Sequence, residues 1–543
     1  MLTRTPALPL ADQLAARFAE RIRTRLMAPG VRLPSVRECA RQQDVSPSTV
    51  VAAYDKLLAQ GLVEARPQRG FFVREAPART GAAAAHPPAA AGPGPLPSGS
   101  QIHATALIRG MFQQGGRPSQ PGSGMLPRDW METAFLPAAV RRLAGSRALE
   151  SSWLTYGEPQ GDAGLRAALA QRLARIDVPA GPQQIVTTVG ATQALDIVSR
   201  TLLQPGDPVM VEEPGWSVEF ARLDALGMRV LPVPRLAAGP DLEVMQRYCE
   251  AHAPKLFVSV SVLHNPTGYC LSPGGAHRVL QLAQRFGFHI VEDDTYSHLA
   301  PEHATRLTAL DGLSCTIYVS GFAKLLAPNW RVGYLAAPPA LVEPLLDTKL
   351  LSTLTTPSLL EKALAIGIEQ GQLRRHAERV RARLEQARVR SVRLAEGAGC
   401  RFVAEPAGLF GWVDTGVDTD LLAQRMLDDG WLLAPGALFN ASRRPGTLMR
   451  INFAATQDAA FWKAFVRARD EMQKGRREGP SPDRCGPSFA CMGDRISTDS
   501  TVPRPGRSPP PLTSRGAPAA RAASISGQSF DSTGCLRRRA AQP

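Results

Sequence analysis

The sequence lacks a hydrophobic run long enough to cross a membrane, and it lacks a recognisable export signal. No apolar stretch reaches the ~18–20 residues that a transmembrane helix needs. The first residues, MLTRTPALPLADQ, contain no apolar core of the kind that a signal peptide requires. These absences argue against a membrane-spanning protein and a membrane partner, and we expect a cytoplasmic location.

Paired cysteines are also missing, although the chain contains eight cysteines. They are scattered, with no C-x-x-C pair and no histidine at a metal-ligand spacing. The sequence therefore predicts no metal site and no disulfide framework.

Acidic residues are in the minority, with 48 Asp and Glu against 63 Lys and Arg and a formal net charge of +15. Residues 1–75 carry a net +5 and residues 475–543 a net +6, so the long middle segment is close to neutral. A basic end is compatible with nucleic-acid binding, but many solvated tails are also basic.

Composition divides the chain into four parts. Residues 1–75 form an N-terminal module, and residues 76–100 form a flexible linker rich in Ala, Pro and Gly. Residues 101–474 alternate strand and helix patterns. Residues 475–543 are rich in Pro, Ser and Arg and too poor in large apolar residues to build a core, which predicts a disordered basic tail.

The N-terminal module has the pattern of three helices. Apolar residues four apart predict an amphipathic helix over 10–27. Ser35 and Glu38 form a capping box for a short second helix. Ser46 is a good N-cap and Pro47 suits the first position of a third helix.

A hairpin follows the three helices, because strand patterns at 62–66 and 71–73 flank the turn Pro67–Gly70. Together these elements predict a winged helix-turn-helix of the α+β class. In that fold the exposed start of the third helix enters the major groove, with Arg66 and Arg69 near phosphates. A helical dimerisation domain without a DNA role remains the alternative, since periodicity does not distinguish the two.

The stretch RLPSVRECARQQDVSPSTVVAAYDKLLAQGLVEARPQRGFFV, residues 32–73, resembles the winged-helix domain of the GntR family of bacterial transcription regulators. Pro47 departs from the family pattern, in which an arginine or another polar residue is common. The resemblance implies double-stranded operator DNA as a partner, contacted by Arg37, Ser46, Ser48, Thr49, Arg66 and Gly70.

Polar motifs follow successive strand patterns in the large segment. Each lies at the carboxyl end of a strand, where open α/β sheets bind ligands. Taken singly, such residues are usually structural, so it is their order that indicates a site. In chain order the motifs are Gly190-Ala191-Thr192, EEPGW (212–216), HNPTG (264–268), EDDTY (292–296), and Lys324 with Arg331.

These residue types match what pyridoxal phosphate (PLP) requires. Lys324 would form the Schiff base, its amine favoured as nucleophile by a partly desolvated site. Asp293 would pair with the pyridine nitrogen and keep it protonated. Asn265 and Tyr296 would hydrogen-bond the ring oxygen, and Trp216 would stack on the ring.

The phosphate of the cofactor would lie at the glycine turn. A helix N-terminus offers free N–H groups and the positive end of a dipole. The amides of Gly190, Ala191 and Thr192, with the guanidinium of Arg331, would hold the phosphate through charge-assisted hydrogen bonds.

Residues 101–474 resemble a fold-type-I aminotransferase of the aspartate aminotransferase superfamily, because YGEPQG (156–161) and the motifs above occur in the family's order. The resemblance implies an α/β domain with a large mixed sheet and a small C-terminal subdomain. It assigns Tyr156 to the cofactor phosphate of the partner subunit and Arg450 to an effector or substrate carboxylate. Gly321 and Ala323 stand where serines often precede the lysine.

A GntR-type winged helix joined to an aminotransferase-like domain resembles the MocR subfamily of bacterial regulators. The resemblance implies a head-to-tail homodimer, PLP as cofactor, and control of transcription in response to an amino compound or to PLP itself. An active aminotransferase with an accessory DNA-binding domain is the alternative. A third possibility is an inert shell that serves only for dimerisation.

Overall fold

The computed structural model describes residues 9–23, 27, 29–74, 120–145, 155–403 and 405–477. The linker predicted over 76–100 lies outside these residues, as does the tail predicted over 475–543 except for the end of the last helix. No described helix is long and apolar enough to span a membrane.

The N-terminal module is a winged helix-turn-helix, as the sequence predicts. Its antiparallel hairpin pairs Val63 with Val73. Tyr54 lies at the centre of the core, where its ring meets Phe18 edge-on and its hydroxyl donates to the Pro34 carbonyl oxygen at 2.9 Å. The elements are α1 (Leu10–Arg23), α2 (Val36–Gln43), α3 (Pro47–Ala59), β1 (Val63–Arg66) and β2 (Gly70–Val73).

The larger domain is built on a mixed sheet whose eight described strands have the order β3-β10-β9-β8-β7-β4-β5-β6. The central strands are parallel, while β10 runs antiparallel to both of its neighbours. The strands are β3 (Ile185–Thr188), β4 (Pro208–Glu213), β5 (Arg229–Leu236), β6 (Gly239–Pro240), β7 (Leu256–Ser259), β8 (His289–Asp293), β9 (Thr316–Gly321) and β10 (Gly333–Ala336).

Helices cover this sheet on two sides, and the alternation of side chains along the strands separates the two layers. Val209 and Val211 pack in one cluster of buried residues, whereas Met210 between them packs in another. The helices described up to the end of this domain are α4 (Arg128–Met131), α5 (Phe135–Ala144), α6 (Ala163–Ala174), α7 (Ala191–Leu202), α8 (Ser217–Ala225), α9 (Leu242–His252), α10 (Pro273–Phe286), α11 (Leu307–Asp311), α12 (Pro339–Thr353) and α13 (Ser358–Glu369).

A small C-terminal subdomain follows a long helix and contains an antiparallel sheet of order β11-β12-β14-β13. Its elements are α14 (Gln372–Gly397), β11 (Arg401–Phe402), β12 (Phe410–Asp414), α15 (Thr419–Asp428), β13 (Ala434–Pro435), β14 (Leu448–Asn452) and α16 (Ala459–Arg477). The described residues also form short 3-10 turns at Pro182–Gln184, Ser297–Leu299, Pro328–Trp330 and Gly436–Phe439. The predicted fold class, with a winged helix, a large mixed sheet and a small subdomain, is confirmed.

Candidate functional site

Parallel strands bring the predicted motifs to one edge of the large sheet. Because β4, β7, β8 and β9 run parallel, the loops that follow them lie side by side. Trp216 follows β4, Asn265 follows β7, Asp293 ends β8, and Lys324 follows β9.

Lys324 points at a backbone segment that comes from far away in the sequence. Its Nζ donates a hydrogen bond to the Gly124 carbonyl oxygen at 3.1 Å and lies 5.9 Å from the centre of the Tyr296 ring. Burial, together with the Arg450 cation, lowers the pKa of Lys324 to about 8, while Asp293 opposes the shift. A substantial fraction of this amine is therefore neutral and nucleophilic near pH 8.

Asp293 and Trp216 line one narrow cavity of about 30 Å³ beside the sheet. The Oδ1 of Asp293 accepts hydrogen bonds from the Thr295 amide at 3.1 Å and from its hydroxyl. Burial raises the pKa of Asp293 to about 6, and Glu219 also raises it, whereas the Thr295 hydrogen bonds oppose the shift. A buried carboxyl with this pKa is suited to pairing with a protonated ring nitrogen.

Arg450 lies at the side of the site formed by the small subdomain. Its Nη1 donates to Asn265 Oδ1 at 2.9 Å and its Nη2 to the Gly122 carbonyl oxygen at 2.7 Å. The guanidinium lies 4.4 Å from the centre of the Phe410 ring and 5.0 Å from that of Phe439. Burial lowers the pKa of Arg450 to about 10. A buried cation with no carboxylate partner among the described residues is suited to an anionic ligand group.

Tyr296 completes this cluster. Its ring meets Phe410 edge-on, with ring centres 5.5 Å apart. Burial raises the pKa of Tyr296 above its usual value, while Arg450 and a hydrogen bond with Asn265 oppose the shift. The Tyr296 hydroxyl therefore stays protonated and lies beside the side chain of Asn265. Two such groups side by side can both hydrogen-bond to one oxygen atom of a ligand.

The glycine turn and Arg331 form an anion cradle at the start of α7. Gly190 has φ 82° and precedes Ala191 and Thr192, and no side chain caps this helix. A Cβ atom at Gly190 would lie 2.5 Å from Nη2 of Arg331, which donates to the Val189 carbonyl oxygen at 3.0 Å. Only glycine therefore allows the guanidinium this close to the free amides, and the cradle fits a phosphate group.

One of the two positions that depart from the aminotransferase pattern, Gly321, lies beside the cradle. A Cβ atom at Gly321 would lie 3.4 Å from the Ala191 amide nitrogen. A serine at this position would bring a hydroxyl to the cradle, so its absence removes one donor that a phosphate could use.

Tyr156 is not brought into this cluster. The side chain is 79% exposed, and within the described chain no hydrogen bond or ring contact joins it to the residues above. The structure thus assembles all the predicted cofactor residues except this one.

One backbone segment of the site was not predicted from the sequence. Residues 122–125 supply the Gly122 and Gly124 carbonyl oxygens that hold Arg450 and Lys324. Asn452 fixes this segment by donating to the carbonyl oxygens of Ser123 and Met125. The contacts span more than 190 residues of chain, and no local pattern in the sequence could have indicated them.

The predicted DNA-contacting residues of α2 and α3 lie mostly at the surface. Arg37, Ser46 and Ser48 are exposed and Thr49 is half-buried. The Ser46 hydroxyl accepts from the Thr49 amide at 3.2 Å and lies 2.8 Å from the hydroxyls of Ser48 and Thr49. The start of α3 is therefore an open polar surface of fixed shape.

The wing contains a basic residue that the sequence did not single out. Arg66 is partly neutralised, because its Nε donates to Glu64 at 2.7 Å and its guanidinium lies over the Phe72 ring. Arg32 pairs with Phe72 as an extra bridge at the hairpin edge and is exposed. A Cβ atom at Gly70, which has φ 94°, would lie 3.4 Å from Arg32 Nε, so this glycine leaves space for the arginine.

The winged helix contacts the small subdomain through α1. Arg21 Nη1 lies 2.5 Å from Asp428 Oδ1, and Nη2 donates to the Leu427 carbonyl oxygen at 3.1 Å. Arg17 donates to the Asp428 carbonyl oxygen. Two cations thus satisfy carbonyl groups at the C-terminus of α15, where the helix dipole favours positive charge.

Comparisons with known proteins agree with this two-domain architecture. The family described as aminotransferase class I and II matches residues 122–467, and the family of bacterial regulatory proteins, gntR family, matches residues 10–73. In the structure of LysN, an α-aminoadipate aminotransferase from Thermus thermophilus, the fold is the same, with a TM-score of 0.62 at 24% identity over 68% of this chain and 95% of that one.

Two curated relatives match most of this chain. The HTH-type transcriptional regulator YdcR of Escherichia coli (strain K12) is 27% identical over 82% of this chain and 94% of its own length. The probable rhizopine catabolism regulatory protein MocR of Rhizobium meliloti is 30% identical over 70% of this chain and 76% of its own length. With an aminotransferase class I and II domain and a GntR-type DNA-binding domain in one polypeptide, the chain belongs to the MocR subfamily of helix-turn-helix transcription regulators.

Proposed function

We propose that this protein is a PLP-dependent transcription regulator that binds operator DNA and senses an amino compound, or PLP itself, through its aminotransferase-like domain. The observation that carries the proposal is the assembly of Lys324, Asp293 and Arg450 with an anion cradle at one sheet edge. The same chain exposes the start of a recognition helix.

Each of the site residues binds a different part of PLP in this proposal. Lys324 supplies the amine that attaches the cofactor, Asp293 holds a proton on the ring nitrogen, and Asn265 with Tyr296 binds the ring oxygen. Trp216 covers the ring, and the cradle formed by Gly190, Ala191, Thr192 and Arg331 holds the phosphate. When bound, the cofactor supplies an electrophilic carbonyl and an electron sink.

Arg450 is the residue through which a bound ligand would change other contacts of the protein. Its guanidinium joins Asn265, at the large sheet, to Gly122, in the segment that precedes this sheet in sequence. A ligand carboxylate would compete for these donors and change both contacts. A ligand with different affinity for two domain arrangements shifts the population between them, and DNA binding follows.

The remaining parts of the proposal concern assembly and organisation. Tyr156 would reach the cofactor phosphate of a partner subunit in a head-to-tail homodimer, which accounts for its exposure in a single chain. The functional units would be 1–75, 76–100, 101–474 and 475–543. A protein that binds operator DNA acts in the cytoplasm.

Cofactor binding is tested by adding PLP to the purified full-length protein and recording its visible absorbance. We expect a new band in the wild type and in Lys255→Ala, which removes an exposed lysine outside the site. Lys324→Ala should abolish the band. Absence of the band in the wild type would contradict the cofactor assignment.

The DNA role is tested by footprinting the full-length protein on the sequences upstream of neighbouring operons. We expect one protected region that Arg69→Gln weakens, because Arg69 is exposed at the tip of the hairpin. Arg390→Gln, which removes an exposed arginine of α14, should leave the footprint unchanged. Failure to find any specific footprint would count against regulation.

An active aminotransferase is the second candidate, favoured by one observation. The pKa of Lys324, about 8, leaves enough neutral amine for chemistry at neutral pH. Transamination is tested with a panel of amino acids and 2-oxo acids. Turnover at ordinary enzyme rates of about 1 per second or more would favour this candidate over a purely regulatory role.

A further inference from the structure

A second and larger cavity is lined by none of the residues assigned to PLP. It has a volume of about 380 Å³ and lies between α6, the turn Ser297–Leu299 and the junction of α13 with α14. Its most unusual feature is the number of guanidinium groups around it. The arginines that line it are Arg172, Arg175, Arg374, Arg375 and Arg381.

The positive charge of this cavity is not balanced by the protein. Only two acidic residues, Glu302 and Glu369, line it. Among the described residues, no carboxylate oxygen lies within 4.0 Å of any of the five guanidinium groups. Some other arginines of the domain are paired, as Arg306 is with Asp294 at 2.7 Å.

The hydrogen bonds of these arginines go to neutral groups. Arg381 donates to the Ala300 carbonyl oxygen and Arg375 to that of Gln370, both at 3.1 Å. These bonds fix the side chains without neutralising them. Like charges that line one cavity repel one another, and an anion in the cavity would relieve this repulsion.

His298 forms part of the buried wall of the cavity. It is 2% exposed, and its Nδ1 lies 2.8 Å from Arg172 Nη2. Burial holds the pKa of His298 well below its usual value, and the nearby cations Arg172 and Arg381 add to the effect. The imidazole is therefore neutral, accepts a hydrogen bond from Arg172 and orients that guanidinium at the cavity wall.

The first turn of α14 contributes further positive potential. Gly371 precedes the helix with φ 66°, and no side chain caps the N-terminus of its 26 residues. Gly371, Leu373 and Arg374 all line the cavity. Free amides of the first turn and the positive end of the helix dipole thus lie beside the arginines.

We propose that this cavity binds a small polyanion, a molecule that carries two or more phosphate or carboxylate groups. Planar guanidinium groups bind both kinds of group in bidentate fashion. The volume is in the range of pockets for small molecules, roughly 300–1,000 Å³. A concave site of this volume favours such a ligand over the backbone of duplex DNA.

The proposal is tested by isothermal titration of the full-length protein, saturated with PLP, with pyrophosphate and separately with citrate at constant ionic strength. The test variant is Arg374→Gln/Arg375→Gln, which removes two exposed charges. The matched control is Arg390→Gln/Arg393→Gln, which removes two exposed charges from the same helix outside the cavity.

We expect saturable binding of at least one probe, weakened tenfold or more in the test variant and within about twofold of wild type in the control. Preference for pyrophosphate or for citrate would identify the ligand as phosphorylated or as a polycarboxylate. The proposal is overturned if neither probe binds, or if both variants lose affinity equally. It is also overturned if the test variant weakens operator binding while neither probe binds, since the arginines would then be a DNA contact.

Discussion

At the scale of single residues, two cations determine how reactive the site is. Lys324 and Arg450 approach the same short backbone segment, since a Cβ atom at Gly124 would lie 3.7 Å from Lys324 Nζ and 3.9 Å from Arg450 Nη2. Burial and Arg450 together lower the pKa of Lys324 to about 8. Arg450, which we propose binds a ligand carboxylate, thus also keeps the lysine amine partly neutral.

This arrangement predicts the pH dependence of cofactor attachment. The neutral amine is the nucleophile, so the rate of appearance of the visible band should rise with pH up to about 8 and then level off. Arg450→Gln removes a cation that lowers this pKa, so the plateau should move to higher pH. Arg390→Gln serves as the matched control, and an unchanged profile in Arg450→Gln would refute the coupling.

The composition of the site could largely be predicted from the sequence, because strand patterns followed by polar residues place those residues at one sheet edge. Asp293 ends a strand of the structure, and four further site residues follow strands: Trp216, Asn265, Tyr296 and Lys324. Their electrostatic setting could not be predicted in this way. It depends on contacts across the whole domain, such as the carbonyl groups of residues 122–125 and the arginines around His298.

At the scale of elements, the residue at which α3 begins could be predicted from the sequence, whereas the residue at which β7 ends could not. Ser46 caps α3 as expected, with its hydroxyl accepting from the Thr49 amide. The apolar run at 256–262 has the pattern of one longer strand, but β7 ends at Ser259, because the Val260 amide donates to the Glu212 carboxylate at 2.8 Å instead of to a strand. A side chain from another strand thus ends β7, which a local pattern does not reveal.

The hairpin of the winged helix yields a prediction about nonspecific DNA binding. Arg32 is exposed at the hairpin edge, whereas Arg66 is held by Glu64 and Phe72. Arg32→Gln should therefore weaken binding to operator and unrelated DNA alike. Removing one phosphate contact should lower the slope of log affinity against log salt by about 1.

The matched control for this prediction is Arg66→Gln, which removes a cation partly neutralised by Glu64 within the wing. Binding should be measured over a range of salt concentrations on both DNA sequences. A larger loss in Arg66→Gln than in Arg32→Gln would contradict the interpretation.

At the scale of the whole molecule, the contact between α1 and the C-terminus of α15 connects the two kinds of domain. Arg21→Glu should place an anion beside Asp428 and loosen the contact. We expect faster amide hydrogen exchange in both 10–23 and 419–428. Arg21→Glu/Asp428→Arg should restore slow exchange, because the pair has the same charges in reverse.

The control for this prediction is Arg23→Glu, since Arg23 contacts Gln60 within the winged helix. Its exchange rates in 419–428 should equal those of the wild type. Unchanged exchange in Arg21→Glu would show that the contact does not hold the domains together in solution.

Control of DNA binding by ligand chemistry at Lys324 is tested most directly by measuring the affinity of the full-length protein for its operator by fluorescence anisotropy. The affinity is measured with and without PLP and with a panel of amino acids. We predict that PLP, alone or with one of these compounds, changes the affinity about fivefold or more in the wild type and in Lys255→Ala. Lys324→Ala should show no such change. Equal affinities in the wild type under all conditions, or an identical response in Lys324→Ala, would contradict the account.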